Sequence, residues 1–524
     1  MTNLVNPLLS SSRAPFTDKL PTNKLPTNKL PFATPNSDSG ADKPKEYCGV
    51  FGIYAPDEEV AKLTYFGLYA LQHRGQEAAG IATFERGVAH VHKDTGLVSQ
   101  VFNEVILDQL PGQFAVGHTR YSTTGASRVA NAQPMIAETR LGTLAVAHNG
   151  NLVNAHSLKD ELIAENYLPK TTSDTEMIAL AIAAAVDQGQ DWLPGTVTAL
   201  KRCQGAFSLA IATPQGIMGV RDARGIRPLV IGVLTDPAQD GESGLHRPHH
   251  YVLASETCAL DIIGAEYLRE VEPGELVWIT DEGLASIHWA TANRKLCVFE
   301  MIYFSRPDSL VHEESLYAYR QRLGVQLAIE SPVEADLVMG VPDSGIPAAI
   351  GFSEQSGIRY AEGLIKNRYV GRTFIQPTQS MRETGIRMKL NPLKGVLEGK
   401  RVIVVDDSIV RGTTSRKLVK ALRDAGATEV HMRISSPPVT HPCFFGIDTD
   451  SQDQLIAAKL SVAEIAEQIG VDSLAYLSWE GMLDTTGDQR DRFCSGCFTG
   501  KYPVAIPEVL QRSKLMLETQ TVTS

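Results

Sequence analysis

No apolar run in the sequence approaches the roughly 18 residues that a membrane-spanning helix needs. The longest candidate, MIALAIAAAV from Met177, fits a buried helix instead. Basic charge is also short. With 49 Lys and Arg against 60 Asp and Glu, the chain carries a net charge of −11, which argues against a general nucleic-acid binder. Cysteine is sparse, and seven in 524 residues do not make a secreted disulfide scaffold. The N-terminus has no apolar segment of the kind a secretory signal requires. Core-forming residues are plentiful at 43% of the chain, and the length points to two domains.

Residues 1–47 do not read as a folded segment. KLPTN occurs twice in tandem from Lys19 and is followed by a third KLP, with Pro, Ser, Asn and Asp filling much of the rest. Proline blocks regular structure, and little here can form a core. The segment reads as a disordered tail, either a pro-segment removed on maturation or a plastid transit peptide. Asp18, Asp38, Asp42 and the scarcity of Arg weigh against the transit reading.

The most informative stretch is VIVVDDSIVRGTT, residues 402–414. Its apolar, β-branched start suits a parallel strand buried on both faces. Asp406 and Asp407 follow where that strand should end, and a helical pattern, SRKLVKALRDAG, begins at Ser415. Between them lie Ser408, Arg411, Gly412, Thr413 and Thr414. Hydroxyls, one Arg and a permissive Gly at a helix N-terminus make an anion cradle. Two acids beside it suit a ribose diol and a hydrated Mg²⁺. The set resembles the phosphoribosyl pyrophosphate (PRPP) loop of the type I phosphoribosyltransferases. That resemblance implies a mainly parallel sheet and makes Ser344, in DLVMGVPDSG, a candidate Mg²⁺ group beside Asp406 and Asp407. Beyond Lys366 runs a long stretch without helix or strand period, carrying Arg368, Arg372, Arg382, Arg387 and Lys389. Long loops of this kind are usually functional or disordered, and these cations suit a lid over a polyphosphate, with Lys366 among the PRPP ligands.

An abrupt change of composition at EYCGVFGIYAP puts Cys48 at the head of a strand. Alone, a cysteine there is a small core residue. Three turns follow, LQHRGQEAAG with Arg74 and Gly75, VGHTRYSTTG with Arg120, and AVAHNGNLVN with Asn149 and Gly150, and TTSDTEMI then adds Asp174. Hydrolysis of a glutamine amide needs a thiolate nucleophile, donors for the tetrahedral oxyanion, and an Arg and an Asp for the two charges of the amino acid. The set resembles the N-terminal-nucleophile (Ntn) glutamine amidotransferases, whose fold is an αββα sandwich. The resemblance implies that Cys48 becomes the first residue after cleavage and that its freed α-amine is the general base. It further implies that Asn149 and Gly150 bind the oxyanion, that Arg120 and Asp174 bind glutamine, and that Arg74 and Gly75 match a mobile glutamine loop.

Four cysteines bracket the second half: Cys297, Cys443 and the C-x₂-C pair Cys494 and Cys497. Four thiolates suit Zn²⁺ or a [4Fe–4S] cluster, and the pair spacing alone slightly favours Zn²⁺. Cys203 and Cys258 read as core cysteines. The stretch from Ala238 to His250 reads as a surface hairpin loop.

An amidotransferase half followed by a PRPP half resembles the amidophosphoribosyltransferase family, and the four cysteines match its iron–sulfur subtype with a cleaved propeptide. The expected layout is a two-domain α/β protein: a tail at 1–47, an Ntn amidotransferase domain at 48–290, a phosphoribosyltransferase domain at 291–505 and a C-terminal tail at 506–524. The resemblance implies glutamine-dependent synthesis of 5-phosphoribosylamine from PRPP, with one Mg²⁺ and one [4Fe–4S] cluster per subunit and Zn²⁺ as the alternative. It also implies purine nucleotide inhibitors, a homotetramer, and a cytoplasmic setting, or a plastid stroma if the tail is a transit peptide. No nucleic acid or membrane partner is expected.

Overall fold

The computed structural model describes residues 48–121, 128–234, 250–367, 390–447, 449 and 451–507. The tail at 1–47, the lid cations from Arg368 to Lys389 and the last residues from 508 lie outside them.

The first half contains thirteen strands. They are β1 (Gly49–Tyr54), β2 (Ala78–Glu85), β3 (Val88–Thr95), β4 (Phe114–Arg120), β5 (Met135–Thr139), β6 (Gly142–Leu152), β7 (Gly205–Thr213), β8 (Gly216–Arg221), β9 (Val230–Leu234), β10 (His250–Ala254), β11 (Glu266–Glu270), β12 (Glu275–Thr280) and β13 (Gly283–His288). They form two sheets, ordered β11-β9-β10-β1-β4-β2-β3 and β13-β12-β8-β7-β6-β5. Val50, Val116, Ala145, Ala147, Ala210 and Val277 fill the space between the sheets. The helix Val60–Ala70 covers the outer face of the first sheet, and Asp174–Asp187 and Trp192–Leu200 cover the second. These four layers are the expected αββα sandwich. β1 is buried along its whole length, because a central strand between two layers has no solvent face.

The second half is built on four parallel strands in sequential order: β14 (Leu337–Gly340), β15 (Arg401–Asp406), β16 (Glu429–Ile434) and β17 (Ser473–Tyr476). In β15, Ile403 and Val405 pack under the helices Leu316–Glu330 and Ile346–Ser356, while Val402 and Val404 pack under Thr413–Asp424. Both faces are therefore buried, as the β-branched run requires. HEESLYAYRQRLGVQLA has the pattern of a helix from His312, but the helix starts at Leu316. His312 and Glu313 adopt left-handed backbone (φ 53° and 62°) as the turn between two short antiparallel strands. All described residues fall within one compact unit.

Candidate active site

Cys48, Arg120 and Asp174 sit where a strand or helix begins or ends, whereas Asn149 and Gly150, expected in a turn, lie within β6, whose pairing with β7 continues to Leu152. Gly49 is in register with Thr119, so Cys48 lies beside the end of β4. Its Sγ points to the Tyr121 carbonyl at 3.6 Å. Burial pushes the Cys48 thiol up to about 11, although the Tyr121 carbonyl contact and the Arg120 charge pull the other way. Arg120 is buried as well.

Asn149 and Gly150 lie on β6, in the facing sheet. Asn149 is fully buried, and neither atom of its amide has a hydrogen-bond partner. A buried amide left unpaired is costly and rare. Gly150 has φ +152°, and a β-carbon there would lie 2.0 Å from the Ala206 carbonyl oxygen, so only glycine fits. Asp174 opens its helix behind Ser173, whose Oγ caps Thr175 N at 3.3 Å. Asp174 Oδ2 accepts from Leu152 N at 3.0 Å and is 3.8 Å from His148 Nδ1, which fixes the acid to the strand that carries Asn149.

Neither nearby histidine is placed as a base. His118 Nε2 lies 3.1 Å from the His148 carbonyl oxygen, joining the two sheets. Burial drives His118 down to about 3, so it stays neutral. His73 is held by Glu256 at 2.7 Å and by the Ala70 carbonyl at 3.1 Å.

Arg74 and Gly75, expected in a mobile glutamine loop, are packed in this structure. The Arg74 side chain is almost wholly buried. Nε donates to the Cys48 carbonyl at 3.2 Å, Nη1 to Glu256, and Nη2 to Glu300 at 2.7 Å. A β-carbon on Gly75 would collide with the Thr119–Arg120 backbone at 2.5 Å. Residues 74 and 75 therefore form a packed turn under the nucleophile. The reason is electrostatic: two buried carboxylates match the guanidinium, a pairing that linear sequence does not display.

The second site lies at the carboxyl ends of β14 and β15, where open α/β sheets bind ligands. Asp406 and Asp407 are buried. Asp407 Oδ1 accepts from Ser344 Oγ, and Oδ2 accepts from Ser408 Oγ at 2.6 Å. Gly412, with φ +76°, caps the helix Thr413–Asp424, and Thr413 Oγ1 is buried without a partner. Arg411 is partly exposed at the rim. Lys366 Nζ is 2.5 Å from Asp343 Oδ2, on the turn that also carries Ser344. Its strand, Leu364–Lys366, pairs antiparallel with Leu390–Pro392.

Two domain models match separate parts of the chain. A glutamine amidotransferase domain model matches residues 118–238, and a phosphoribosyl transferase domain model matches residues 325–435. Among whole proteins, the chain is 70% identical over 491 residues to an amidophosphoribosyltransferase of Synechocystis sp., covering 93% of this chain and 97% of that one. The chain belongs to the amidophosphoribosyltransferase family. As an amidophosphoribosyltransferase it converts PRPP, with glutamine as the nitrogen source, into 5-phosphoribosylamine, releasing glutamate and pyrophosphate in the first step of purine biosynthesis. A family member from Bacillus subtilis is 50% identical over 468 residues, covering 88% of this chain and 95% of that one. Amidophosphoribosyltransferase 1, chloroplastic, of Arabidopsis thaliana is 49% identical over 476 residues, covering 90% and 81%. The solved B. subtilis glutamine PRPP amidotransferase, complexed with ADP and GMP, superposes with a TM-score of 0.81 at 49% identity, covering 88% of this chain and 98% of that one.

The four outer cysteines converge. Cys297 pairs in register with Cys494 in a short parallel ladder. Cys443 and Cys497 join them in one apolar cluster with Phe299, Phe444 and Phe445. All four thiols are buried and unbridged. Burial raises the Cys497 thiol well above its ordinary value, and the charges of Cys297, Cys494 and Cys443 add to the rise. The Phe445 N–H donates to Cys443 Sγ at 3.4 Å. Among the described residues, no three His, Cys, Asp or Glu side chains are drawn together closely enough to hold a single metal ion. Cys203 and Cys258 are buried elsewhere, as expected of core thiols. The loop expected from Ala238 to His250 lies almost wholly outside the described residues, but β9 and β10 on either side of it pair antiparallel.

Sequence reasoning missed Arg227, Glu256 and Glu300. Their signal was available as charged residues inside apolar surroundings, such as the lone Glu in CVFEMIYF.

Proposed function

We propose that Cys48 is the nucleophile that releases ammonia from glutamine, and that the ammonia is used at the acid pair. The observation that carries this reading is the buried, unpartnered Asn149 amide, a donor without a ground-state acceptor. Such a donor is explained by an oxyanion that forms only during turnover. Asn149 and the Gly150 backbone serve the oxyanion, while Arg120 and Asp174 hold the α-carboxylate and α-ammonium of glutamine. Arg74 and Gly75 set the turn beneath the nucleophile. With no histidine placed as base, the Cys48 α-amine is the proton acceptor. Its reference pKa of roughly 7.7–8.0 suits that role, and cleavage of the Tyr47–Cys48 bond exposes it.

At the second site, Asp406 and Asp407 accept from the ribose hydroxyls. Ser408, Arg411, Gly412, Thr413 and Thr414 cradle the 5-phosphate, and Lys366 meets the pyrophosphate. Phosphoribosyl transferases of this class use Mg²⁺. The hard oxygens of Ser344, Asp406 and Asp407 fit that ion, which neutralises charge on the leaving pyrophosphate when bound. Ammonia attacks C1 of the ribose with inversion, so no protein nucleophile is required there.

By the match to the family's iron–sulfur subtype, Cys297, Cys443, Cys494 and Cys497 would hold a [4Fe–4S] cluster, with Zn²⁺ as the alternative. The four buried thiols share one apolar cluster. A peptide N–H to a ligand sulfur is a usual feature of such clusters. The group would brace the contact between the two halves.

The amidotransferase domain spans 48–290 and the phosphoribosyltransferase domain 291–505, with the propeptide at 1–47 and a tail at 506–524. The active form is a homotetramer restrained by purine nucleotides, in the cytoplasm or a plastid stroma. The described helices include none long and apolar enough to cross a membrane. The test is a paired assay: glutamate release with and without PRPP, and phosphoribosylamine formation from ammonia. Glutamate release that PRPP leaves unchanged, with no ammonia-dependent synthesis, would overturn the two-site reading.

A further inference from the structure

Glu300 is fully buried in a one-turn π-helix, Glu300–Phe304, at the start of the second half. Turns of this kind are frequent at functional sites. Its Oε1 lies 2.7 Å from Arg74 Nη2 and 3.2 Å from Arg227 Nη1, and its Oε2 accepts from Ser305 Oγ at 2.9 Å. Both arginines come from the first half and are fully buried. Each passes the constraint onward. Arg74 Nε holds the Cys48 carbonyl at 3.2 Å. Arg227 holds the Phe445 carbonyl with two nitrogens, Nε at 2.9 Å and Nη2 at 2.6 Å. The Phe445 segment in turn lies against the oxyanion strand. Asn151 Nδ2 donates to the Phe444 carbonyl at 2.9 Å, and a β-carbon on Gly446 would stand 3.2 Å from the Gly150 carbonyl group.

We propose that Glu300 is a positioning residue for the glutamine site, setting the Cys48 backbone through Arg74 and the Gly150–Asn151 backbone through Arg227 and the Phe444–Gly446 segment. One carboxylate from the second half thus registers the nucleophile and the oxyanion group against each other. The inference rests on the assignment of Cys48, Asn149 and Gly150 above. It adds that the glutaminase is assembled by the other domain. The two arginines that Glu300 holds lead to the Cys48 carbonyl and to the Phe445 carbonyl, so its influence falls on the reacting atoms more than on glutamine affinity. The turn is also held by Arg320, through the Met301 and Ser305 carbonyls at 2.9 and 2.6 Å. A change at Glu300 leaves those two bonds in place.

The test is Glu300→Gln in the full chain, measured for glutamine turnover, KM for glutamine, ammonia-dependent phosphoribosylamine synthesis and thermal unfolding. The expected result is a kcat for glutamine turnover lower by roughly tenfold to a hundredfold, the scale on which small misplacements of reacting groups slow a step. KM for glutamine and ammonia-dependent synthesis should stay within about twofold of wild type. Arg227→Lys keeps the charge but loses the fork on Phe445, and should show the same split if Glu300→Gln does not fold. Glu300→Asp should recover part of the loss. A folded variant with unchanged kcat, or one in which both activities fall together, would overturn the proposal. Absence of glutamine-dependent activity in the wild type would instead count against the assignment of the site itself.

Discussion

Ser344 donates to Asp407 across the gap between the turns that end two neighbouring parallel strands. The bond joins the two loops of the PRPP site before any ligand arrives. It also uses one oxygen of Asp407 while Ser408 uses the other, so the orientation of that carboxylate is fixed.

Asp406→Asn combined with Asp407→Asn should abolish phosphoribosylamine formation from either glutamine or ammonia. The ribose hydroxyls and Mg²⁺ lose their charged acceptors, yet the amides keep the shape of the loop. Basal glutamate release should persist, because Cys48 belongs to the other sheet system. Synthesis assayed with external ammonia checks this directly, and retained synthesis would refute the assignment.

Asn149→Ala should lower glutamine turnover by about 10²–10³, the range for loss of one oxyanion donor. Its effect on stability should be small for a buried polar residue, because the amide has no hydrogen bonds to lose. Turnover measured alongside a thermal melt separates the two. A large loss of stability with little loss of rate would show that Asn149 is a structural residue.

The thiol of Cys48 is pushed up to about 11 by burial, and the α-amine of an uncut chain is locked in a peptide bond. The uncut chain should therefore lack glutaminase. Alkylation of its Cys48 by iodoacetamide should be slow at pH 7 and rise about tenfold per pH unit towards pH 11, because the thiolate is the reactive form. The cut chain should gain glutaminase activity as the pH rises through roughly 7.7–8.0, the range in which an α-amine gives up its proton and becomes basic. Intact mass and N-terminal sequencing of an active preparation check the cut. Full activity from a chain still carrying Tyr47 would refute the base assignment.

Protein purified without oxygen should be brown and hold about four irons per chain. Cys494→Ser should remove the colour and weaken folding, since metal binding and folding are linked. Visible absorption and iron analysis decide the matter. A colourless protein with one zinc would replace the cluster by a mononuclear site.

Much of this was legible in the primary structure. VIVVDDSIVRGTT gave strand, acids and helix in order, because a parallel strand buried on both faces leaves a continuous apolar run that ends at its ligand. Cys48 and Asp174 were legible because each stands at a boundary between elements, whereas the turn expected around Asn149 is the interior of β6. What stayed hidden was the buried charge around Arg74. Its partners, Glu256 and Glu300, are 182 and 226 residues away, and no local pattern marks such distant pairing. The start of the helix at Leu316 was hidden for a smaller reason. Positive φ at His312 and Glu313 is imposed by the short strands on either side, against the preference of both residues.

The pairing of Leu364–Lys366 with Leu390–Pro392 fixes the two points between which residues 368–389 run. Lys366 and Leu390 stand in register, so those points are one strand spacing apart, about 4.8 Å. Insertions or deletions between them should leave the parallel sheet undisturbed, since doubling such a segment adds only about 0.6 kcal/mol of closure cost.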